Sequence, residues 1–475
     1  MRNLVVFIPF ILSTYLIMKH GVFRAVIDVY LPCLILIPGA YHIRISGFPD
    51  INFHHSAVLP ILIYSVCTGR FKMKCLLFWI LFFFAILRIY SEGVSAGFYN
   101  ARFQGFNDFA YLLGPYAIAR YVINDREKII AIIKRLVGLC ALSVVFLQYD
   151  AFMYSNFQHR VLDSFFPGQW HKSGSGFRFG LPRLNGAFNH AIAMGLAFMT
   201  AIAFFLWLKK NKYIEGYFKF MPLIKKSHLI LFALLLGEFY TGSRAPWIGT
   251  LMVIFISAID FSKARFVSFL TRATILILFS IIGFQTIRYF GTTESHTHLA
   301  ETIRYRWELW SDYQPFIDEK PYLGWGIIKG GLGLVPKKPS IDNFFLYTAV
   351  TSGYTGLYLM ILLFITLISK FMFNCIYFLF RNQREGRMEF TSLGIIIAFC
   401  FALQTVWMDG QFAQLFYILI ATLENYFDLS RKKAFPLSVR HAKDANKAKF
   451  ALVKRYIPSF PTRQNHAPAS PSIPN

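Results

Sequence analysis

The sequence predicts an all-α, polytopic membrane protein built as a bundle of transmembrane helices. Three observations predict it. Hydrophobic residues fill 56% of the 475 positions and charged residues only 15%, against about 25% charged in an average soluble domain. Apolar stretches of about 15 to 25 residues recur from Leu4 to Phe427, close to the length that crosses a bilayer as helix. Basic clusters fall on alternate connections between those stretches. Together these exclude a soluble enzyme, a disordered chain and a disulfide-stapled secreted scaffold.

The candidate spans are about 3–18, 22–41, 53–68, 75–91, 107–123, 136–151, 187–208, 227–242, 245–260, 273–290, 344–369, 389–408 and 411–428. Residues 370–380 are also apolar and extend the preceding helix along the interface. Clusters at Arg70/Lys72/Lys74, Arg126/Lys128/Lys134/Arg135, Lys209/Lys210/Lys212, Lys263/Arg265/Arg272, Arg381/Arg384/Arg387 and Arg431–Lys433 then share one side, the cytoplasm. The C-terminus lies inside. The first three segments leave the N-terminal side open. Thirteen spans put it outside; twelve, the preferred count, put it inside with one early segment re-entrant or two forming one hairpin. The MRNLVVFIPFILSTYLIM start reads as a retained first helix, with no small-residue cleavage site after it.

Residues 1–430 read as one transmembrane domain. Residues 431–475 form a basic, Pro-containing, disordered cytoplasmic tail. After Ser430 the tail holds ten Lys or Arg and one acid, Asp444, so it supplies +9 of the formal +25. Contact with anionic lipid explains that excess better than nucleic acid. The six cysteines sit in or at the ends of apolar segments without metal spacing and read as small apolar residues.

With this orientation, two long outer loops stand out, at about 150–185 and 291–343. Long loops on a rigid scaffold tend to hold chemistry, whereas a transporter more often places its site at mid-membrane on broken helices. The loops run against the positive-inside trend. The first holds Arg160, Lys172, Arg178 and Arg183 against Asp150 and Asp163. The second holds Arg304, Arg306, Lys320, Lys329, Lys337 and Lys338 among seven acids. Arg244 sits at the outer junction of two spans. A guanidinium is a planar, permanently charged fork that fits phosphate oxygens. Several at an outer face suit a lipid-linked phosphate or pyrophosphate.

Three ordered stretches resemble the O-antigen ligase and O-antigen polymerase superfamily of bacterial envelope enzymes. The first, Pro182-Arg183-Leu-Asn-Gly186-Ala-Phe188-Asn189-His190, is similar to the family's Arg-x-x-Gly-x-Phe-x-Asn. The second, Gly242-Ser243-Arg244, is similar to its Ser-Arg-Gly at a helix start. The third runs Arg306-Trp307-Glu308-Leu309-Trp310, Pro321 to Gly324-Trp-Gly326, Asp342-Asn343-Phe-Phe-Leu346 and Gly353-Tyr-Thr-Gly356-Leu357. The matching region is roughly 183–357. Two departures stand out: Asp342 replaces the ligases' histidine, and Thr351 a glutamate of many members. Aspartate at 342 looks more like the repeat-unit polymerase branch.

The resemblance implies the membrane-embedded helical glycosyltransferase fold and a metal-independent transfer, with no cofactor, at the periplasmic face of the inner membrane. The donor is a glycan on undecaprenyl pyrophosphate. The acceptor is a sugar hydroxyl, on another lipid-linked repeat for a polymerase or on lipid A-core for a ligase. Arg183, Arg244 and Arg306 are expected to neutralise the leaving pyrophosphate, and Asp342 to act on the acceptor hydroxyl. Asn343, Trp310, Gly324, Gly326, Asn189 and Ser243 are the expected substrate-binding positions. Implied partners are membrane lipids, a chain-length regulator and other envelope assembly proteins. A lipid-oligosaccharide flippase or an envelope scaffold is the alternative outside this class.

Plainer readings stand beside these. Asp342 suits the N-cap of the helix that follows. Arg306 has Glu301 and Glu308 nearby to pair with. Trp307, Trp310 and Trp325 suit an interfacial belt. Gly324 and Gly326 after Pro321 are at least a turn. The intramembrane Glu238 needs a partner, and a group on another helix fits better than Arg244. His296 and His298 are two apart, a poor zinc spacing.

Overall fold

The computed structural model describes residues 2–69, 75–170, 176–178, 180–218, 221–262, 265–292, 298–331, 341–379, 388–408 and 410–431. The basic clusters at 70–74 and 381–387, Lys172, Lys263, His296, Lys337, Lys338 and the tail lie outside these residues. The described chain is predominantly helical, and its strands form three two-stranded antiparallel hairpins. Among the described residues, six helices are long and apolar enough to cross a membrane: Asn3–His20, Leu76–Ala96, Arg126–Met153, Ala191–Lys210, Arg265–Gly283 and Phe344–Leu379. Phe53–Cys67 and Glu389–Ala402 are shorter apolar helices. The chain is an integral membrane protein.

The Ala191–Lys210 helix is the most enclosed of the six, with 89% of its span buried. Small residues make this possible by letting helices approach closely. A Cβ on Gly195 would meet Pro246 at 2.6 Å, and one on Gly249 would meet the Met199 sulfur at 2.6 Å. Two of the ionic groups buried in the bundle are held in ion pairs, which offsets their desolvation. Lys370 pairs with the buried Glu424, which also accepts from the Tyr116 hydroxyl. Arg88 pairs with the buried Asp108 at 3.1 Å.

The two ends of the described chain pack against different parts of the bundle. Val6 packs in a cluster with Tyr41, Phe53 and Phe166. Phe166 belongs to the 150–185 connection, so the N-terminal end shares its face. At the other end, Asp428 pairs with Arg120 at 2.8 Å, and Asn425 donates to the carbonyls of Ala119 and Ile123. Those residues precede the start of the 28-residue Arg126–Met153 helix, about 40 Å from its far end at 1.5 Å per residue. Chain ends on opposite faces would have an odd number of passes between them, as in the thirteen-span alternative, and ends on one face an even number, as in the twelve. The expectation for residues 370–380 holds as far as Leu379, the last residue of the preceding helix.

The two outer connections are not plain loops either. The first contains the Phe157–Asp163 helix and the Phe177–Arg178/Leu181–Pro182 hairpin. The second contains the His298–Glu319 helix, whose Leu309, Tyr313 and Ile317 bury against Leu346, Ala349 and Val350. An amphipathic helix is how an apolar stripe in a polar connection becomes covered.

The Pro321–Gly326 turn locks into a break in the Phe344–Leu379 helix. Gly353 has φ +66° inside that helix, and Gly324 has φ +65° in the turn. A Cβ on Gly324 would lie 2.5 Å from the Gly353 nitrogen; one on Gly353 would lie 2.5 Å from the Pro321 oxygen. Backbone bonds close the joint: Trp325 N–H to Val350 O at 2.9 Å and Tyr354 N–H to Pro321 O at 2.7 Å. The Ser91 hydroxyl bonds Leu323 O and Thr351 O, and the buried Glu92 carboxylate accepts from Ile327 N–H.

Two predictions follow from this geometry. Gly324→Ala or Gly353→Ala should lower stability by at least about 1–3 kcal/mol, since each forces a strained conformation as well as a clash, read as a lower melting temperature in detergent. Asn3→Cys and Ser164→Cys should be labelled by an impermeant maleimide from the same side of the membrane; labelling from opposite sides would indicate an even count.

Candidate active site

One cavity of about 640 Å³ opens beside the two outer connections. Its lining includes Arg178, Arg183, Arg244, Arg306, Asp342 and Asn189. These side chains come from four places in the chain, up to 164 residues apart by numbering, 342 minus 178.

Each guanidinium is placed by local structure. Arg178 and Arg183 flank the short hairpin, which pairs Arg178 with Leu181. Gly242 turns with φ +55° immediately before Ser243, and a Cβ there would meet the Arg183 side chain at 3.1 Å. The Gly242 carbonyl accepts from the Arg178 guanidinium. Ser243 is buried; its hydroxyl accepts from Arg183 at 3.1 Å and donates to the Thr241 carbonyl at 3.1 Å. Arg244 begins the next helix, and Arg306 projects from His298–Glu319.

Burial first, then the mutual repulsion of the guanidiniums, pulls Arg178 below the usual arginine range. Burial likewise lowers Arg183 and Arg306; Asp342 opposes that shift and Arg244 adds to it. Arginine keeps its charge through such shifts. The result is a dense positive field around one carboxylate, suited to a multiply charged anion. Asp342 and Arg244, rather than Glu301 or Glu308, are the charges that act on Arg306.

The helix cap expected of Asp342 is made by its neighbour. The Asn343 Oδ1 accepts from the N–H groups of Phe345 and Leu346 at 3.0 and 3.1 Å. Asn343 therefore spends its side-chain acceptor on the helix start, and Asp342 lines the cavity. Gly324 and Gly326 do not line it. They form the interlock described above, where a Cβ on Gly326 would meet Glu92 at 2.8 Å. Trp310 is 38% exposed and also lies outside the lining. Trp325 donates its indole N–H to Phe316 O at 2.8 Å, with the Lys320 ammonium 4.0 Å from its ring centre. Glu238 takes its side-chain bond from the Thr250 hydroxyl on the next helix, while its carbonyl accepts from the Trp247 indole at 3.1 Å.

Several cavity residues are absent from the motif reading. Arg178 differs from other loop arginines only in its hairpin partner. His190 lines the cavity and its Nε2 accepts from the Trp407 indole N–H at 3.1 Å, so the neutral ring carries its proton on Nδ1. Trp407 arrives from the connection after Ala402. Asp150 and Trp170 also line the cavity.

A comparison with protein families resolves the resemblance. Residues 229–361 match the family described as O-antigen ligase. This segment is similar to the O-antigen ligase family. The O-antigen ligase segment contributes Ser243, Arg244, Arg306 and Asp342, whereas Arg178, Arg183 and Asn189 come from outside it. No curated protein matches the chain.

Two stability predictions test the site's supports. Asn343→Ala should cost about 1 kcal/mol through loss of the cap, seen as a lower melting temperature, while Asn343→Asp should retain most of it. His159, in the short helix of the first connection, is lowered by burial to about 4, with Asp163 opposing. The unfolded chain protonates this ring near 6.5, before the folded one does. Its contribution to stability is therefore intact above pH 6.5 and falls as the pH drops from 6.5 towards 4. Melting temperatures across that window should fall less steeply for His159→Gln.

Proposed function

We propose that the protein is a polysaccharide repeat-unit polymerase. It transfers a glycan from undecaprenyl pyrophosphate to a sugar hydroxyl of another lipid-linked repeat, at the periplasmic face of a bacterial inner membrane. The product belongs to O-antigen, capsule or exopolysaccharide biosynthesis. The observation that carries this reading is the convergence of four guanidiniums and Asp342 on one cavity. The O-antigen ligase segment at 229–361 supports an activity of the ligase or polymerase type.

In the reaction, the acceptor oxygen attacks the anomeric carbon of the donor sugar. The bond from that carbon to the pyrophosphate oxygen breaks, and its electron pair leaves with the pyrophosphate. Arg178, Arg183, Arg244 and Arg306 stabilise the charge that grows there. Such preorganised stabilisation is usually the largest single contribution to rate. Asp342 takes the proton of the acceptor hydroxyl. Asn189, exposed on the cavity wall, and Ser243, through Arg183, complete the substrate contacts. The basic tail meets anionic lipid, and a chain-length regulator is the expected protein partner.

The family description favours a second reading, transfer to lipid A-core by a ligase. The two differ in acceptor. Aspartate at 342, where the ligases have histidine, favours the polymerase.

The test is complementation of a deletion strain with wild type, Arg306→Ala or Asp342→Ala at matched membrane levels. The polymerase predicts loss of long chains, by about 100-fold or more in chain-bound sugar for a lost charge-stabilising group, with single repeats kept on lipid A-core. Long chains accumulating on the undecaprenyl carrier would indicate the ligase. Full chain length from both variants would refute the site.

A further inference from the structure

Not all of the cavity lining is cationic. Asp150, Asn156 and Trp170 also line it. The Asp150 Oδ1 accepts the Phe157 N–H at 2.7 Å. Asp150 is 2% exposed, and its Oδ2 has no hydrogen-bond partner among the described residues. A buried carboxylate oxygen left without a donor is costly and calls for an explanation.

Trp170 is held rigidly beside it. Its ring stacks on His159, with centroids 4.2 Å apart and planes 15° apart. His159 is buried, and its Nδ1 lies 2.9 Å from the Tyr41 hydroxyl. That hydroxyl donates to Asp163 at 2.8 Å. Tyr41 in turn packs on Phe166 and Phe53 in the cluster that anchors the N-terminal end. This brace fixes the indole at the cavity wall at little further entropic cost.

We propose that Trp170 and Asp150 form a sugar subsite that receives the pyranose adjoining the pyrophosphate of the donor. This rests on the glycosyl-transfer reading above. A pyranose presents an apolar C–H face and a rim of hydroxyls. The indole receives the face, and the Asp150 carboxylate accepts a hydroxyl proton as a hydrogen bond. A volume of about 640 Å³ falls within the range of small-ligand sites and exceeds what a pyrophosphate alone fills. Neither residue touches the breaking bond; both bind and orient the donor.

The experiment measures binding of two probes to the purified full-length chain in detergent. One is undecaprenyl pyrophosphate. The other is the lipid-linked repeat extracted from a strain lacking the protein. Trp170→Ala should weaken the glycan-bearing probe at least tenfold and leave the sugar-free probe within twofold of wild type. Asp150→Asn keeps the Oδ1 acceptor for Phe157 and should weaken the glycan-bearing probe several-fold. Trp170→Tyr should restore most of the loss, which controls for misfolding. Arg306→Ala should weaken both probes. If Arg306→Ala weakens both while Trp170→Ala and Asp150→Asn weaken neither, the subsite is refuted and the pyrophosphate reading stands. If Trp170→Ala weakens both probes equally, its role is support of the whole cavity and the subsite is refuted. If Arg306→Ala changes neither probe, the pyrophosphate reading itself fails.

Discussion

Four guanidiniums that repel one another are held around a single cavity, and much of the surrounding structure answers that repulsion. Asp342 supplies the opposing charge to Arg183 and Arg306. The Gly242 carbonyl and the Ser243 hydroxyl take hydrogen bonds from Arg178 and Arg183. Without such anchors the side chains would turn towards solvent, and the positive field at the cavity would disperse. Holding them in place before an anion arrives is what electrostatic preorganisation means in this protein.

The scaffold achieves that rigidity with close backbone contacts rather than with bulk. Gly195 and Gly249 let the central helix and its neighbours approach to the point where a methyl group would collide. The break at Gly353 receives the Pro321–Gly326 turn, and that joint ties the His298–Glu319 helix, which carries Arg306, to the helix that follows Asp342 and Asn343. An interlock between two left-handed glycines has one arrangement, so the separation of Arg306 from Asp342 is set by backbone geometry. The same economy appears at the cavity wall, which a stacked pair of rings and a tyrosine brace.

The residues Arg183, Arg244, Arg306 and Asp342 were legible in the sequence because each sits in a short stretch with fixed neighbours: a turn glycine, a helix start, an aromatic four residues on. The glycines and Asn343 were legible as positions but not as roles. Spacing cannot distinguish a glycine that approaches a ligand from one that approaches another backbone, since both require the same missing Cβ. It cannot say which of two adjacent capping residues makes the cap. Arg178 and Asp150 stood out only as loop charges and His190 only as the end of a motif stretch, while Trp407 and Trp170 were not singled out. What brings them together is the way separate connections fold over one another. The side of the N-terminal end stays open in the sequence for a related reason: side-chain charge marks a side only where basic residues cluster, and the first three segments offer few.

By itself, the sequence determined that this chain is helical and membrane-embedded and that arginines gather on connections between its apolar stretches. Those properties follow from local composition and periodicity, which act within a few turns of the chain. Only the tertiary structure decided which arginines share a cavity, which carboxylate faces them, which asparagine caps a helix, and on which face the N-terminal end lies. Each depends on contacts between segments tens to hundreds of residues apart, and such contacts are fixed by packing, where shape rather than residue type selects the partner.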